Sequence, residues 1–438
     1  MGPWLESITA WLTANPSWLG LAIFLVACVE CLAIAGIIVP GTVLLFAIAV
    51  LAGSGALSLG ETLLLGLCGG LLGDGLSYLL GRHFHQNIRR LPGLRHHPEW
   101  IGSAESYFQR YGIASLLVGR FIGPLRPMLP MVAGMFDMPF PRFAAVSLVA
   151  ASGWSVAYLL PGWVTGAAIR LPLPEGFWPQ AGVVAGAIVV FAALSIHVSV
   201  TGKRYATKLI AALSLLMLIG LCLGYPYLPH FDQGVMALVQ EHRSQAAELF
   251  VVLTTRLGDF RTQAFIVPTL IGILLISRQW RHAAFAAIAL LGAALCNTFV
   301  KWAAARARPD ILLDPLTSYS MPSGHSSGSF AIFMVLAILA GRGQPVRLRL
   351  TWLLLGSIPA LSIALSRVYL GVHWPTDILA GAMLAFFTCA TSLSLIQYKQ
   401  PLPALRKPVW WTLLPVLAAV YGFFAMHELA RSVIRYQY

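Results

Sequence analysis

Three short polar stretches interrupt an otherwise apolar sequence between Lys301 and Asp377. The first is Lys301-Trp302-Ala303-Ala304-Ala305-Arg306-Ala307-Arg308-Pro309 and the second is Pro322-Ser323-Gly324-His325. The third is Ser366-Arg367, followed by His373 and Asp377. Together they hold cations, two imidazoles, hydroxyls and a carboxylate, which is an inventory for gripping a phosphate and attacking it. A phosphoryl group in transfer spreads negative charge over its equatorial oxygens, and fixed cations and N–H groups stabilise that charge.

Each stretch alone also has a plainer reading. Lys301 and Arg308 are seven apart, so on a helix they face the same way, and Pro309 would end that helix. Taken alone they would serve equally as snorkelling cations at a helix end. Arg306 falls on another face and reads as a solvated or lipid-facing charge. Ser323 and Gly324 precede a long apolar helix, where free N–H groups favour an anion; Ser323 would serve equally as a cap. A lone His325 is more often structural, and Ser326 and Ser327 read as packing or cap residues. His373 and Asp377 are four apart, on one face of a helix begun by Trp374-Pro375. There the carboxylate could accept the proton of one ring nitrogen and leave the other free to attack. Asp310 and Asp314 in the intervening loop read as solvated. No acidic cluster suited to a divalent ion lies near these motifs, so neither a metal nor another cofactor is expected.

The elements that must position these residues are membrane spans. Of the 438 residues, 58% are hydrophobic and 10% charged, against about 25% charged in soluble globular chains. Apolar runs approaching the roughly 20 residues of a helical span recur along most of the chain, and the length suggests two or more domains. The net charge of +13 does not point to nucleic acid, because the basic residues sit in short clusters between apolar runs. Anionic membrane lipid is the expected partner. All six cysteines lie in apolar runs; Cys28 and Cys31 have redox-motif spacing but no soluble βαβ context, so they read as small hydrophobes. The segment from Met1 to Ser17 has Glu6 and no basic region, and the first span is expected to stay uncleaved.

The predicted first helix covers roughly 17–36 and carries Glu30. It breaks at Gly36 and Pro40-Gly41 and resumes over 42–53. A long helix follows over 61–81 with Asp74 and Tyr78, then a basic amphipathic surface stretch over 83–110. A second broken element runs from Gly119 through Arg120, Arg126 and Pro130 to Gly134, ahead of spans at 143–168 and 178–199. Two interrupted apolar elements suggest a transporter whose breaks mark a midplane site. An ionisable group in the membrane costs about 2.5–3.5 kcal/mol, so Glu30, Asp74, Arg120 and Arg126 should be paired or functional. The alternative is a buried structural ion pair with no transport role.

The basic segment 201–208 is expected to link a translocation module (1–200) to a second module (209–400), with an additional helix in 401–438. Spans are predicted at 209–226, 263–276, 283–301, 327–341, 351–366, 376–396 and 409–427. An external segment, Tyr227 to Phe260, would cap the site or lie on the membrane surface. The basic turns at Arg278, Arg281 and His282, at Arg342, Arg347 and Arg349, and at Lys399, Arg406 and Lys407 should all be cytoplasmic. Alternating the spans then puts all three polar stretches together on the periplasmic face. Arg431 and Arg435 fall outside, against the rule.

Lys301-x6-Arg308-Pro309, Pro322-Ser323-Gly324-His325 and Ser366-Arg367-x5-His373-x3-Asp377 resemble the three-part signature of the phosphatidic acid phosphatase type 2 superfamily. The resemblance implies a six-helix core, with the span at 409–427 lying beyond it, and a metal-independent phosphatase. It also implies that His373 forms a phosphohistidine, Asp377 orients it and His325 protonates the leaving group. Lys301, Arg308, Ser323, Gly324 and Arg367 would hold the phosphate. Glu30, Pro40-Gly41, Gly73-Asp74-x3-Tyr78-x2-Gly81-Arg82, Arg120-Phe121-Ile122-Gly123-Pro124-x-Arg126 and Ala133-Gly134 resemble the DedA family. Gly123-Pro124 stands where many relatives have Pro-Gly. This likeness implies lipid translocation, with Glu30, Asp74, Arg120 and Arg126 as the transport residues.

The expected protein is an all-α polytopic protein of a bacterial inner membrane. Its N-terminal module has two re-entrant or broken helix hairpins, and its C-terminal module is a six-helix phosphatase core plus one extra span. It would dephosphorylate a lipid phosphate or pyrophosphate at the periplasmic face, coupled to lipid translocation. Undecaprenyl pyrophosphate heads the candidate substrates; phosphatidylglycerophosphate and phosphatidic acid also fit. The alternative is primarily a flippase or proton-coupled transporter with a slow or regulatory phosphatase domain. A vanadate-dependent haloperoxidase uses a similar pocket but is soluble, and ranks below both. No oligomeric state is implied.

Overall fold

The computed structural model describes residues 3–33, 35–38, 41–85, 98–121, 125–201, 205–313, 316–427 and 429–436. Every regular element among them is a helix. Nine of these helices are long and apolar enough to cross a membrane. The chain divides into two compact units, Met1–Leu173 and Pro174–Tyr438.

Unit 1 contains α1 (Pro3–Ala14), α2 (Leu19–Cys31), α3 (Ala35–Ile38), α4 (Gly41–Leu51) and α5 (Leu59–Phe84). It continues with α6 (Pro98–Tyr111), α7 (Ile113–Gly119), α8 (Met128–Met135) and α9 (Phe140–Arg170). α2 and α8 pack along α5, and α9 packs on α4 and α5. Close approach needs small residues: a Cβ on Gly73 would run into the Cys28 carbonyl, and one on Gly81 into that of Met131. Such contacts hold apolar helices together where lipid is as apolar as the side chains.

Both interrupted elements are present. The first differs from the prediction, because α2 ends at Cys31 instead of continuing to 36. The cause is a side chain on α5. The Ser77 hydroxyl donates to the Cys31 carbonyl at 3.1 Å and accepts from the Ala33 N–H at 2.8 Å. It thereby satisfies backbone groups freed by the break, which is the condition for irregular backbone at membrane depth. The second interruption lies between α7 and α8. Pro40, residues 122–124 with Gly123-Pro124, and 86–97 of the basic stretch lie outside the described residues.

Unit 2 contains α10 (Phe177–Val200), α11 (Ala206–Gly224), α12 (Pro229–Glu241), α13 (Gln245–Arg256), α14 (Phe260–Ile276) and α15 (Trp280–Ala304). Next come α16 (Gly324–Gly341), α17 (Val346–Tyr369), α18 (Pro375–Ile396), α19 (Lys407–Met426) and α20 (Leu429–Arg435). Six of these, α11 and α14 to α18, form the core, with α19 packed on α14. α18 is central, surrounded by α11, α15 and α16 and mostly buried. α10 packs against α11 and α12, so it belongs to this unit. The basic segment 201–208 thus joins two helices of one unit; its residues 202–204 lie outside the described residues. The stretch Tyr227 to Phe260 forms α12 and α13. All three polar stretches sit where α15 and α17 end and where α16 and α18 begin, opposite the basic turns.

Candidate active site

The first stretch is not one continuous helix. α15 stops at Ala304, and Ala305 takes a left-handed backbone conformation (φ 44°). Arg306 and Arg308 follow in irregular chain. Lys301 and Arg308 therefore do not share a helical face, and the reversal at Ala305 is the reason. They still converge. Lys301 Nζ donates to the Tyr319 carbonyl at 2.8 Å. Arg308 Nε donates to the Ser318 carbonyl at 2.7 Å, and its Nη1 donates to the Val372 carbonyl at 2.7 Å. The same Nη1 lies 3.1 Å from His373 Nε2.

The reversal also corrects the reading of Arg306, which is neither solvated nor lipid-facing. Its Nη1 donates to Asp377 Oδ1 at 2.8 Å and its Nη2 to Asp232 Oδ2 at 2.6 Å. Its guanidinium lies 4.6 Å from the Tyr225 ring centroid and 5.5 Å from that of Trp374. Asp232, on α12, also accepts from the Thr376 N–H at 3.0 Å. Burial pushes the Asp232 carboxyl up, and Arg306 opposes that shift.

His373 stands just ahead of α18. Its Nδ1 is 3.4 Å from Asp377 Oδ2, a long contact, and 3.3 Å from Ser320 Oγ. Ser320 in turn donates to the same Asp377 oxygen, which also accepts from the Trp374 N–H at 2.8 Å. Asp377 is thus shared among Arg306, Ser320, Trp374 and His373. Burial, then the charges of Arg308, Arg367 and Lys301, hold the His373 imidazole well below its ordinary range, so it is neutral at neutral pH. Burial and the neighbouring Arg367 bring Arg308 down to about 10, still protonated at neutral pH.

On the second stretch, His325 Nε2 lies 2.8 Å from Asp259 Oδ1, at the start of α14. Gly324 lines the cavity, whereas Ser323 is fully buried and accepts from the Ser326 N–H at 3.4 Å, capping α16. On the third, Arg367 Nη1 donates to Thr255 Oγ1 at 2.8 Å. One cavity of about 1080 Å³ is lined by Lys301, Arg308, Gly324, His325, Arg367 and His373. Asp310 is exposed, and Asp314 lies outside the described residues.

Sequence reasoning missed Asp232, Thr255, Asp259 and Ser320. The first three lie on or beside helices whose pattern predicts only a cap or surface segment, and Ser320 is one hydroxyl in a polar loop. None carries a spacing signal.

The four transport candidates also meet, in unit 1. Arg120 pairs with Asp74, and Arg126 with Glu30. Thr42 Oγ1 donates to Glu30 at 2.7 Å, and Arg126 Nη2 donates to Tyr158 OH at 2.9 Å. The Arg120 guanidinium lies 5.0 Å from the Trp154 ring centroid. All four residues are at most 5% exposed. Glu30 lies in the last turn of α2, Arg120 follows α7 and Arg126 precedes α8, so the broken ends bring three of the charges together beside Asp74 of α5.

A VTT domain matches residues 39–164, and the PAP2 superfamily matches residues 282–401. The inner membrane protein YabI of Escherichia coli (strain K12) is 40% identical over 152 residues, covering 35% of this chain and 60% of that protein. An uncharacterized membrane protein of Buchnera aphidicola subsp. Schizaphis graminum is 35% identical over 173 residues, covering 39% of this chain and 67% of that one. The chain thus spans 60% of the length of YabI. Among solved structures, the first transmembrane PAP2 type phosphatidylglycerolphosphate phosphatase from Bacillus subtilis has a TM-score of 0.39 and 22% identity, covering 43% of this chain and 97% of that one. Aquifex aeolicus LpxE has a TM-score of 0.31 and 24% identity, covering 37% and 94%. The chain is a membrane protein that joins a VTT domain, of the DedA type, to a PAP2 superfamily domain.

Proposed function

We propose that this chain is a membrane lipid phosphatase, that it acts on a lipid phosphate or diphosphate from the periplasmic face, and that its VTT unit moves lipid across the bilayer. One observation carries the phosphatase reading: Lys301, Arg308, His325, Arg367 and His373, from three separate stretches, line a single cavity. The periplasmic assignment is supported by the basic turns at the opposite helix ends.

His373 is the nucleophile. Its neutral ring presents Nε2 beside Arg308, while Nδ1 faces Ser320 and Asp377. Nε2 attacks phosphorus as the bond from phosphorus to the lipid-side oxygen breaks. That oxygen takes a proton from His325, which Asp259 holds in place. Water then attacks the phosphohistidine, passing a proton back to His325; the P–N bond breaks and inorganic phosphate leaves. Lys301, Arg308 and Arg367 stabilise the charge on the transferring group, a contribution of about 2.7–4 kcal/mol for one such donor. Asp377 and Ser320 position His373, and Arg306 positions Asp377.

The translocation reading rests on the two ion pairs gathered at two helix breaks, a site where broken helices of transporters bind their cargo. Both readings are testable on the full chain. In detergent, phosphate release is measured against undecaprenyl pyrophosphate, phosphatidylglycerophosphate and phosphatidic acid, with a chelator present. Release from at least one lipid is expected, and release from none overturns the phosphatase. In vesicles, lipid transfer between leaflets should stop in Arg126→Ala; transfer at the wild-type rate rules out the transport role.

A further inference from the structure

Arg367 is held by a side chain from outside the PAP2 match at residues 282–401. Its Nη1 donates to Thr255 Oγ1 at 2.8 Å and to the Tyr436 hydroxyl at 2.9 Å. The Arg367 guanidinium also lies 5.5 Å from the Tyr436 ring centroid. Tyr436 follows α20 and lines the same cavity as Lys301, Arg308, His325 and His373, although it is only 6% exposed.

Tyr436 is fixed on several sides. It shares an apolar cluster with Val252, Leu312, Leu370 and Val372, the last of these next to His373. Its carbonyl accepts from Arg243 Nη2 at 2.7 Å, and its N–H donates to the Val433 carbonyl at 3.3 Å. Arg256 donates to the Phe424 carbonyl at 3.1 Å and also bonds the His427 carbonyl and the Ser432 hydroxyl. The chain leading into α20 is therefore clamped as well. A side chain held in this way is a preorganised donor, because little freedom is left to lose on binding.

A phenolic hydroxyl has one proton to donate and two lone pairs to accept with. Arg367 takes up one lone pair, and the proton has no acceptor among the described residues. Lys301, Arg308 and Arg367, which share the cavity, are donors only and cannot take it. Arg367 shows the same deficit. The residue is 2% exposed, and its Nε has no hydrogen-bond partner. A buried donor left unmade costs about 1–3 kcal/mol. Two donors without acceptors, on two residues lining one cavity, call for a ligand rich in acceptors, and phosphoryl oxygens are acceptors only when ionised.

We propose that Tyr436 is a further phosphate-binding residue, whose hydroxyl accepts from Arg367 and donates to an oxygen of the phosphoryl group under attack. This rests on the phosphatase reading and adds to it a donor from outside the three motifs. The proton stays on the phenol throughout, so Tyr436 stabilises charge on the transferring group and transfers nothing. It also gives α19 and α20 a task, which is to lead the chain back to the cavity that the motifs line.

The test reads binding of inorganic phosphate to the full chain in detergent, by titration calorimetry. Beside it, phosphate release is measured from undecaprenyl pyrophosphate, phosphatidylglycerophosphate and phosphatidic acid. Tyr436→Phe keeps the ring and its packing and loses only the hydroxyl. Its Kd for phosphate should rise about 10- to 100-fold, as for a lost hydrogen bond to a charged group. The kcat/KM on any lipid that is hydrolysed should fall by a similar factor, and it carries the comparison alone if phosphate binds too weakly to titrate. Replacing Tyr436 by para-aminophenylalanine, which donates but accepts poorly, should recover part of the loss. Unchanged values in Tyr436→Phe overturn the proposal. So does a loss that para-aminophenylalanine leaves in full, because the hydroxyl would then serve only as the acceptor that positions Arg367. If wild type neither binds phosphate nor releases it from any of the three lipids, the phosphatase reading itself fails.

Discussion

In unit 1, two guanidiniums face two carboxylates; in unit 2, seven cationic side chains surround a cavity with one carboxylate among its described lining residues. Both clusters are built from chain breaks in an apolar surround, yet their charge balance differs. The Glu30–Arg126 and Asp74–Arg120 pairs neutralise one another, so that cluster can stay closed and buried without a ligand. The described lining of the unit 2 cavity carries more cations than carboxylates, the balance that the proposed phosphate site calls for. The charge balance of the described residues therefore sets the proposed translocation core apart from the proposed phosphate site, even where both use arginine.

The sharpest way to break this comparison is to remove the proposed nucleophile. His373→Ala should lower kcat for phosphate release by a factor on the order of 10⁶, the loss seen when a covalent catalyst is deleted, with lipid transfer by unit 1 retained. Phosphate release at the wild-type rate would end the assignment of His373.

The next effect falls on unit 1. Arg126→Ala leaves Glu30 buried without its cation, at a cost of about 3–5 kcal/mol. The melting temperature in detergent should drop, and Glu30→Gln/Arg126→Gln should melt above the single variant because it removes both charges. A single variant as stable as wild type would show that the pair does not hold the unit together.

A smaller loss is expected at Ser320. Its hydroxyl lies between His373 Nδ1 and Asp377 Oδ2, and a lost hydrogen bond of about 1 kcal/mol corresponds to roughly a fivefold decrease. Ser320→Ala should lower kcat by about that factor with little change in KM. A change confined to KM would place Ser320 on the substrate instead.

The smallest effect is a shift along the pH axis. As the proposed nucleophile His373 must be neutral, and burial with three nearby cations keeps it neutral well below its ordinary pKa of 6.5. Activity should therefore persist as pH falls through 6.5 and be lost only lower, as the ring protonates. Arg308→Gln removes one of these repulsions, so the acid limb should move to higher pH, on top of a general loss of activity. A limb that stays in place would mean that Arg308 does not contribute to holding His373 neutral.

Much of this was legible in the residues. The spacing of Arg367, His373 and Asp377 across one span end, and of Pro322 to His325 ahead of another, survives folding because each lies at a helix terminus. The alternation of basic turns and apolar runs correctly brought the three stretches to one end of the helices. Arg306 was misread because helical spacing was carried past Ala304, where the chain reverses. Asp232 and Asp259 were missed because a carboxylate in a polar segment looks solvated until a neighbouring helix buries it.

The sequence alone determined an all-helical membrane chain, two interrupted elements with ionisable residues on them, and a phosphate-binding inventory in three pieces, because composition, apolar run length and local spacing are properties of the chain itself. Only the tertiary structure decided that α2 stops at the Ser77 hydroxyl, that Arg306 bridges Asp377 and Asp232, and that α20 folds Tyr436 onto Arg367. Those contacts join residues far apart along the chain, and their strength depends on burial, which no local pattern encodes.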